Sequence, residues 1–181
     1  STTGVASRVQ NVQPLIGDCV DGRWAVAHNG NIVNAQELRV IYKERCSLFQ
    51  TGTDSEMFLH LLADPEYRHD PRRVAKVCET LKGAYSALLM SPNRIYAVRD
   101  PHGFKPLVMG RLGKGWVFAS ETCALTQVGA TYEREIEPGE LVTVDAGGMS
   151  STRLNREGAG LSHCVFELVY FARPDSRVFG H

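Results

Sequence analysis

The stretch Ala27-His28-Asn29-Gly30-Asn31-Ile32-Val33-Asn34-Ala35-Gln36-Glu37-Leu38-Arg39 decides the fold reading, because its pattern changes twice. Residues 24–28, leading into it, are an apolar run with the length of a strand buried on both faces. Asn29-Gly30 then reads as a tight turn, since Asn-Gly is the strongest short-range turn signal. Asn34-Ala35-Gln36-Glu37 places an N-cap residue three positions before Glu, the spacing of a capping box. Leu38, Ile41 and Tyr42 give the helix that follows one apolar face. The expectation is a buried strand, a tight turn and a capped helix.

Upstream, residues 1–21 read as irregular, rich in Ser, Thr, Asn and Gln, with a hairpin turn at Asp21-Gly22. Downstream, Thr51-Gly52-Thr53 breaks the chain, and Thr53 or Asp54 can cap a second helix reaching about Ala63. A third helix starts from Asp70-Pro71, carries Val74, Val77, Cys78 and Leu81 as its stripe, and stops at Gly83.

From there the pattern becomes strands, over residues 85–90, 95–99, 107–111 and 116–120. A short helix is expected over 121–128. A hairpin-like unit follows, formed by 132–136, a Pro138-Gly139 turn and 141–145. Ala146-Gly147-Gly148 then turns into 151–154, and a final apolar strand occupies 165–172. Residues 155–160 are the best linker. This divides the chain into a body over 1–154 and a connecting segment over 155–181. Antiparallel strands with helices gathered early imply an α+β layered fold, not a doubly wound one.

Composition sets limits on function. With 181 residues, 43% apolar and 22% charged, the chain is an ordinary single globular domain. Its formal net charge of +0 gives no bulk attraction for nucleic acid or an anionic membrane. No apolar run approaches the roughly 20 residues of a membrane span. No signal peptide is visible in Ser1-Thr2-Thr3-Gly4. The 5 cysteines are odd in number, widely spread and without a Cys-x-x-Cys pair, which fits reduced thiols in a cytoplasmic protein.

Two motifs carry chemistry. At Asn29-Gly30 a side-chain amide and a bare backbone N–H can together hold a developing oxyanion, and Gly allows close approach. The alternative is a plain hairpin turn. Asp54 can be an ordinary N-cap, or an exposed carboxylate pairing with a ligand ammonium group. Glu56 reads as a first-turn acid that suits the helix dipole. His28 reads as a packed histidine before a turn rather than a general base, and His102 as a surface residue in a turn. His163-Cys164 has no second pair at metal-ligand spacing. The glycine-rich 110–115 is a hairpin and not a phosphate loop.

Several blocks resemble one family. They are Ser1-Thr2-Thr3-Gly4, Asn11-Val12-Gln13-Pro14, His28-Asn29-Gly30-Asn31, Thr53-Asp54-Ser55-Glu56, Gly83-Ala84-Tyr85-Ser86, Arg99-Asp100-Pro101-His102-Gly103-Phe104-Lys105-Pro106-Leu107, Ala119-Ser120-Glu121-Thr122 and Arg134-Glu135-Ile136-Glu137-Pro138-Gly139-Glu140. They are similar to the glutaminase domain of class II, N-terminal-nucleophile, glutamine amidotransferases. Phe166-Glu167-Leu168-Val169-Tyr170-Phe171-Ala172-Arg173-Pro174-Asp175-Ser176 resembles the amidophosphoribosyltransferase branch. The resemblance implies a four-layer αββα sandwich. It gives Asn29 and Gly30 the oxyanion hole, Asp54 the α-ammonium of glutamine, and Thr2 a place lining the glutamine pocket. It makes Cys164 a candidate iron–sulfur ligand in the parent enzyme. Glutamine and phosphoribosyl pyrophosphate are the implied substrates, magnesium and an iron–sulfur cluster the cofactors of the parent, and a homo-oligomer its assembly. No cofactor is expected in this chain itself.

The chain departs from the family pattern in two places. The family nucleophile is a cysteine in an N-terminal Cys-Gly block, and an arginine before Ser1 should bind the glutamine carboxylate; neither is in the sequence. Ser1 aligns with the pocket-lining loop and not with the nucleophile. The expectation is therefore an internal, inactive piece of the enzyme, with strand edges left unpaired and prone to associate. The alternatives are a non-catalytic glutamine-sensing module, or another class II amidotransferase such as a glucosamine-phosphate synthase.

Overall fold

A computed structural model describes residues 9–155 together with Ser162, Arg173, Asp175 and Ser176. Leu15–Cys19 (β1) and Gly22–Ile32 (β2) open a six-stranded antiparallel sheet. It continues through Gly83–Ser91 (β3), Arg94–Arg99 (β4), Glu140–Asp145 (β8) and Gly148–Arg153 (β9), in the order β1-β2-β3-β4-β8-β9. Val108–Leu112 (β5), Gly115–Ala119 (β6) and Thr131–Glu135 (β7) form a second sheet in the order β6-β5-β7.

The helices Ala35–Glu44 (α1), Glu56–Ala63 (α2), Pro65–Arg68 (α3) and Arg73–Thr80 (α4) precede the strands of the second half. Met57, Phe58, Leu61 and Leu62 of α2 and Val74, Val77 and Cys78 of α4 pack on Trp24, Val26, Tyr85, Leu89 and Val98 of the large sheet. Fully burying one such side chain stabilises the fold by about 1.5–3 kcal/mol. Alternation along the strands sends the remaining apolar residues to the other face. There Leu88, Ala97, Val142 and Val144 meet Leu107, Met109, Trp116, Phe118 and Ile136. A last helix, Thr122–Gln127 (α5), covers the small sheet, with Leu125 buried close to Gly110. The layers run helix, sheet, sheet, helix, the expected α+β αββα sandwich. Among the described residues, β1 and β9 are open edges of one sheet, and β6 and β7 of the other.

Four local expectations are corrected. Asn29-Gly30 is no turn: β2 runs through it, with Asn29 opposite Ser86 and Gly30 opposite Tyr85. The glycine is required by the strands themselves. Gly30 has φ +141°, and a Cβ there would lie 2.0 Å from the Ala84 carbonyl oxygen. Gly83 answers it across the ladder, with φ +144° and a Cβ position 2.1 Å from the Asn31 oxygen.

Secondly, the side-chain caps are not made. Asn34 precedes α1 but spends its amide elsewhere, donating to Thr80 O (3.0 Å) and accepting from Lys82 N (2.9 Å). α2 starts at Glu56, with Ser55 as N-cap and no side-chain bond; Thr53 and Asp54 lie before it. Thirdly, β1 lies in a segment read as irregular, and α3, capped by the Asp64 carboxylate on Glu66 N (2.9 Å), went unread. Lastly, β7 and β8 are no hairpin: they belong to different sheets. Gly139 (φ +69°) turns the chain between them, and Glu140 fastens the crossing. Its carboxylate accepts from Arg134 (2.7 and 2.8 Å), Glu137 N (2.7 Å) and Ser151 Oγ (2.6 Å). The expected strand over 165–172 lies outside the described residues, as does nearly all of the linker over 155–160.

Candidate active site

Because β2 is continuous, its residues alternate across the sheet at the motif itself. His28 faces the helix layer and Asn29 the second sheet. Asn29 lines a cavity of about 170 Å³ with Gln13, Ala27, Ser86, Leu88, Leu107 and Ser120. None of the described cysteines lines it.

Asp54 comes to the same strand from the loop before α2. Its Oδ2 accepts the Ile32 backbone N–H at 2.8 Å, two residues past Gly30. Its side chain is 13% exposed and opens on a hollow of about 330 Å³, lined also by Asn31, Gln36, Arg39 and Thr53. The carboxylate that the sequence singled out, 22 positions beyond Ile32, is thus docked beside the Asn29-Gly30 pair.

That docking rests on Glu56, which is buried and does far more than suit a helix dipole. Its carboxylate accepts from Gln50 N (2.6 Å), Thr51 N (3.0 Å), Thr51 Oγ1 (2.9 Å) and Arg39 (3.4 Å). Arg39 also donates to Thr51 O and Thr53 O, both at 3.0 Å, and stacks on Phe49. Burial works against the charge of Glu56, but the hydrogen bonds from His60 and from the 50–51 backbone overcome it and lower its pKa from 4.5 to about 2.

A second loop flanks the cavity and leads into Leu107. Asp100, wholly buried, accepts from Tyr85 N (3.3 Å), His102 N (2.9 Å) and Lys105 N (3.3 Å). Burial raises its pKa in spite of these bonds. Arg99 extends beneath the loop and donates to Gly103 O, Lys105 O and Ile136 O.

His28 is buried, as read, but not before a turn. Burial pushes its pKa below the usual imidazole value, and the nearby Asp54 carboxylate opposes this. Its Nδ1 lies 2.9 Å from Ser55 Oγ. Gln13, Arg39 and Ser55 were not singled out as site residues. Ser55 sat within the Thr-Asp-Ser-Glu block, but nothing in the spacing shows that Gln13 crosses to it. Thr2 and Cys164 lie outside the described residues. Among the described residues no group of three or more His, Cys, Asp or Glu could hold a metal ion, and no helix is long and apolar enough to cross a membrane.

Comparison with known proteins fits this geometry. A family model described as a glutamine amidotransferase domain matches residues 4–127. Amidophosphoribosyltransferase 3, chloroplastic, of Arabidopsis thaliana is 49% identical over 181 residues, covering 99% of this chain and 34% of that protein. Amidophosphoribosyltransferase of Bacillus subtilis is 41% identical over 172 residues, covering 94% of this chain and 36% of that one. The chain thus spans about a third of the length of the curated relatives it matches. Among solved structures, glutamine phosphoribosylpyrophosphate amidotransferase from B. subtilis, complexed with ADP and GMP, matches at a TM-score of 0.87 and 39% identity. That match covers 97% of this chain and 38% of the other.

Proposed function

The chain belongs to the glutamine amidotransferase domain family, and on that premise we propose that it is the glutaminase domain of an amidophosphoribosyltransferase. Its α+β fold is the N-terminal-nucleophile type of its structural neighbours. The observation that carries the functional reading is the hydrogen bond from Ile32 N to Asp54 Oδ2. It sets a carboxylate able to hold an α-ammonium group beside Asn29 and Gly30.

In this reading glutamine binds with its ammonium on Asp54 and its side-chain amide at Asn29. A thiol attacks the amide carbon. The carbonyl oxygen becomes an oxyanion, stabilised by the Asn29 amide and the Gly30 N–H, and ammonia leaves as the thioester forms. Water then releases glutamate and restores the thiol. The nucleophilic thiol is not among the described cavity residues, and Thr2 is proposed as a further wall of the glutamine pocket. Ammonia then displaces pyrophosphate from phosphoribosyl pyrophosphate, giving phosphoribosylamine for purine synthesis. This second step is proposed for the part of the enzyme's length that the chain does not span.

Magnesium, an iron–sulfur cluster with Cys164 as one ligand, and a homo-oligomeric assembly are proposed for that longer enzyme. No described residues fit a metal or cluster, and no step here runs through one. A domain boundary at 154/155 is proposed from the polar, glycine-containing stretch 155–160 that follows. The compartment is the cytoplasm, or the plastid if the chain follows its plant relatives, which are named as chloroplastic.

The test uses the full-length protein. Asn29→Ala should lower glutamine-dependent phosphoribosylamine formation by about 10²–10³ in kcat, the usual cost of one oxyanion donor. Synthesis from added ammonia should be unchanged. No glutamine hydrolysis by the wild-type protein, or full activity in Asn29→Ala, would overturn the reading.

A further inference from the structure

Beside Asn29 lies a polar cluster that the reaction above does not use: His28 and Ser55 behind the strand, and Gln13, which also lines the Asn29 cavity and reaches across to them. Gln13 Oε1 accepts the His28 backbone N–H at 2.5 Å. That contact fixes the amide orientation, so Gln13 Nε2 is the atom that donates to Ser55 Oγ, at 3.3 Å. His28 Nδ1 meets the same hydroxyl at 2.9 Å, and the hydroxyl reaches Asp54 Oδ1 at 3.5 Å. His28 Nε2 is buried with no hydrogen-bond partner among the described residues. Phe58 and Tyr85 flank the ring.

Counting protons orders this cluster. A serine hydroxyl has one proton and two lone pairs, and an ionised carboxylate only accepts. With the proton of neutral His28 on Nδ1, Ser55 accepts from both His28 and Gln13 and donates its own proton to Asp54. Every donor then has an acceptor, and Nε2 keeps only a bare lone pair. With the proton on Nε2, a buried N–H is stranded, and Ser55 turns its proton away from the carboxylate. Stranding a buried donor is the more costly arrangement. The Nδ1–H tautomer is therefore selected, and all the donors run toward Asp54. The other carboxylate oxygen is held by Ile32 N.

We infer that Gln13, His28 and Ser55 form a positioning relay that fixes the Asp54 carboxylate for the α-ammonium of the amino-acid substrate. The inference rests on the glutaminase reading above. It makes the cluster a specificity device: the relay matters for substrates that carry the ammonium group and not for those that lack it.

The experiment compares glutamine with its des-amino analogue, 4-carbamoylbutanoate, in the full-length protein. Ser55→Ala should raise KM for glutamine about tenfold, as expected for losing a hydrogen bond to a charged group, with kcat held within about twofold. Its kcat/KM for the des-amino analogue should not change. His28→Leu should behave alike, and His28→Asn, which keeps an N–H near the Nδ1 position, should recover most of the loss. Should Ser55→Ala fail to fold, the His28→Leu and His28→Asn pair gives the same readout. A fall by the same factor for both substrates, or an unchanged glutamine KM, overturns the relay alone. A wild-type protein that hydrolyses neither substrate overturns the glutaminase reading and the relay with it.

Discussion

Glu56 and Asp100 hold the two loops beside the candidate pocket in the same way, each gathering backbone N–H groups onto one buried carboxylate. They differ in what accompanies the charge. Glu56 has Arg39 at 3.4 Å and His60 at 3.8 Å. Asp100 accepts the backbone N–H groups of Tyr85, His102 and Lys105 and feels the charge of the neighbouring Arg99, whose guanidinium donates to carbonyls of the loop and to Glu135. The balance therefore falls on opposite sides. The hydrogen bonds of Glu56 outweigh its burial and lower its pKa to about 2, whereas burial outweighs the bonds of Asp100 and raises its pKa. The same loop-holding device favours the ionised form in one place and, through burial, disfavours it in the other.

The largest effect expected from this contrast is at Glu56. Glu56→Gln removes the negative charge from Arg39 and turns an NH₂ toward donors. Breaking a buried pair in this way costs about 3–5 kcal/mol, measurable by urea unfolding. The variant also changes the acid limb. The pKa of Glu56 is lower folded than unfolded, so its contribution is fully present above pH 4.5 and is lost as pH falls from there through about 2. The shift corresponds to about 3 kcal/mol. Stability measured between pH 5 and pH 2 should fall less steeply in Glu56→Gln than in the wild type. Parallel slopes would show that Glu56 is not held ionised.

Asp100→Asn should cost less, about 1–3 kcal/mol, because an amide oxygen in the Oδ2 position still accepts from Tyr85 N and Lys105 N and leaves only His102 N facing the NH₂. The pH effect has the opposite sign. A carboxyl whose folded pKa is raised above 3.8 contributes stability that is present below 3.8 and is lost as pH rises through the folded value. Replacing Asp100 should therefore steepen the net loss of stability on acidification, where replacing Glu56 flattens it. If both substitutions move the slope in one direction, the contrast between the two carboxylates is wrong.

The contrast also shows what the sequence could and could not disclose. The α+β layering was legible because apolar runs of strand length follow an amphipathic helical half, and both patterns are local; the number of layers came only with the family resemblance. Asn29 and Asp54 were legible as candidates because an amide beside glycine and an acid before a helix are recognisable residue by residue. Their conformations were not. Asn-Gly has a strong turn propensity, but Tyr85 and Ser86, far along the chain, pair with it and keep it in a strand. Glu56 at the start of a helix reads as an ordinary first-turn acid because its partners, Arg39 and the 50–51 backbone, reach it only in three dimensions. The Glu140 clasp between the sheets was hidden for the same reason. A local pattern names an element, while a tertiary partner decides what a polar residue in it does.

Asn34 is the uncharged form of the same device, and it gives the smallest effect and the cleanest control. Its amide clips the end of α4 to the start of β3, donating to Thr80 O and accepting from Lys82 N. The side chain is neutral on both sides of the acid transition. Asn34→Ala should thus cost about 1–2 kcal/mol, for two neutral hydrogen bonds partly replaced by water, and the cost should be equal at pH 7 and pH 3. Asn34→Asp keeps the acceptor for Lys82 N but sets a carboxylate oxygen against the Thr80 carbonyl. Protonation of that carboxylate restores a donor, so this variant should regain stability on acidification, as a buried acid with a raised pKa does. If Asn34→Asp instead tracked the acid slope of Glu56, the surroundings rather than the clip geometry would set the sign. The opposition drawn between Glu56 and Asp100 would then reflect position in the fold and not the cation beside the carboxylate.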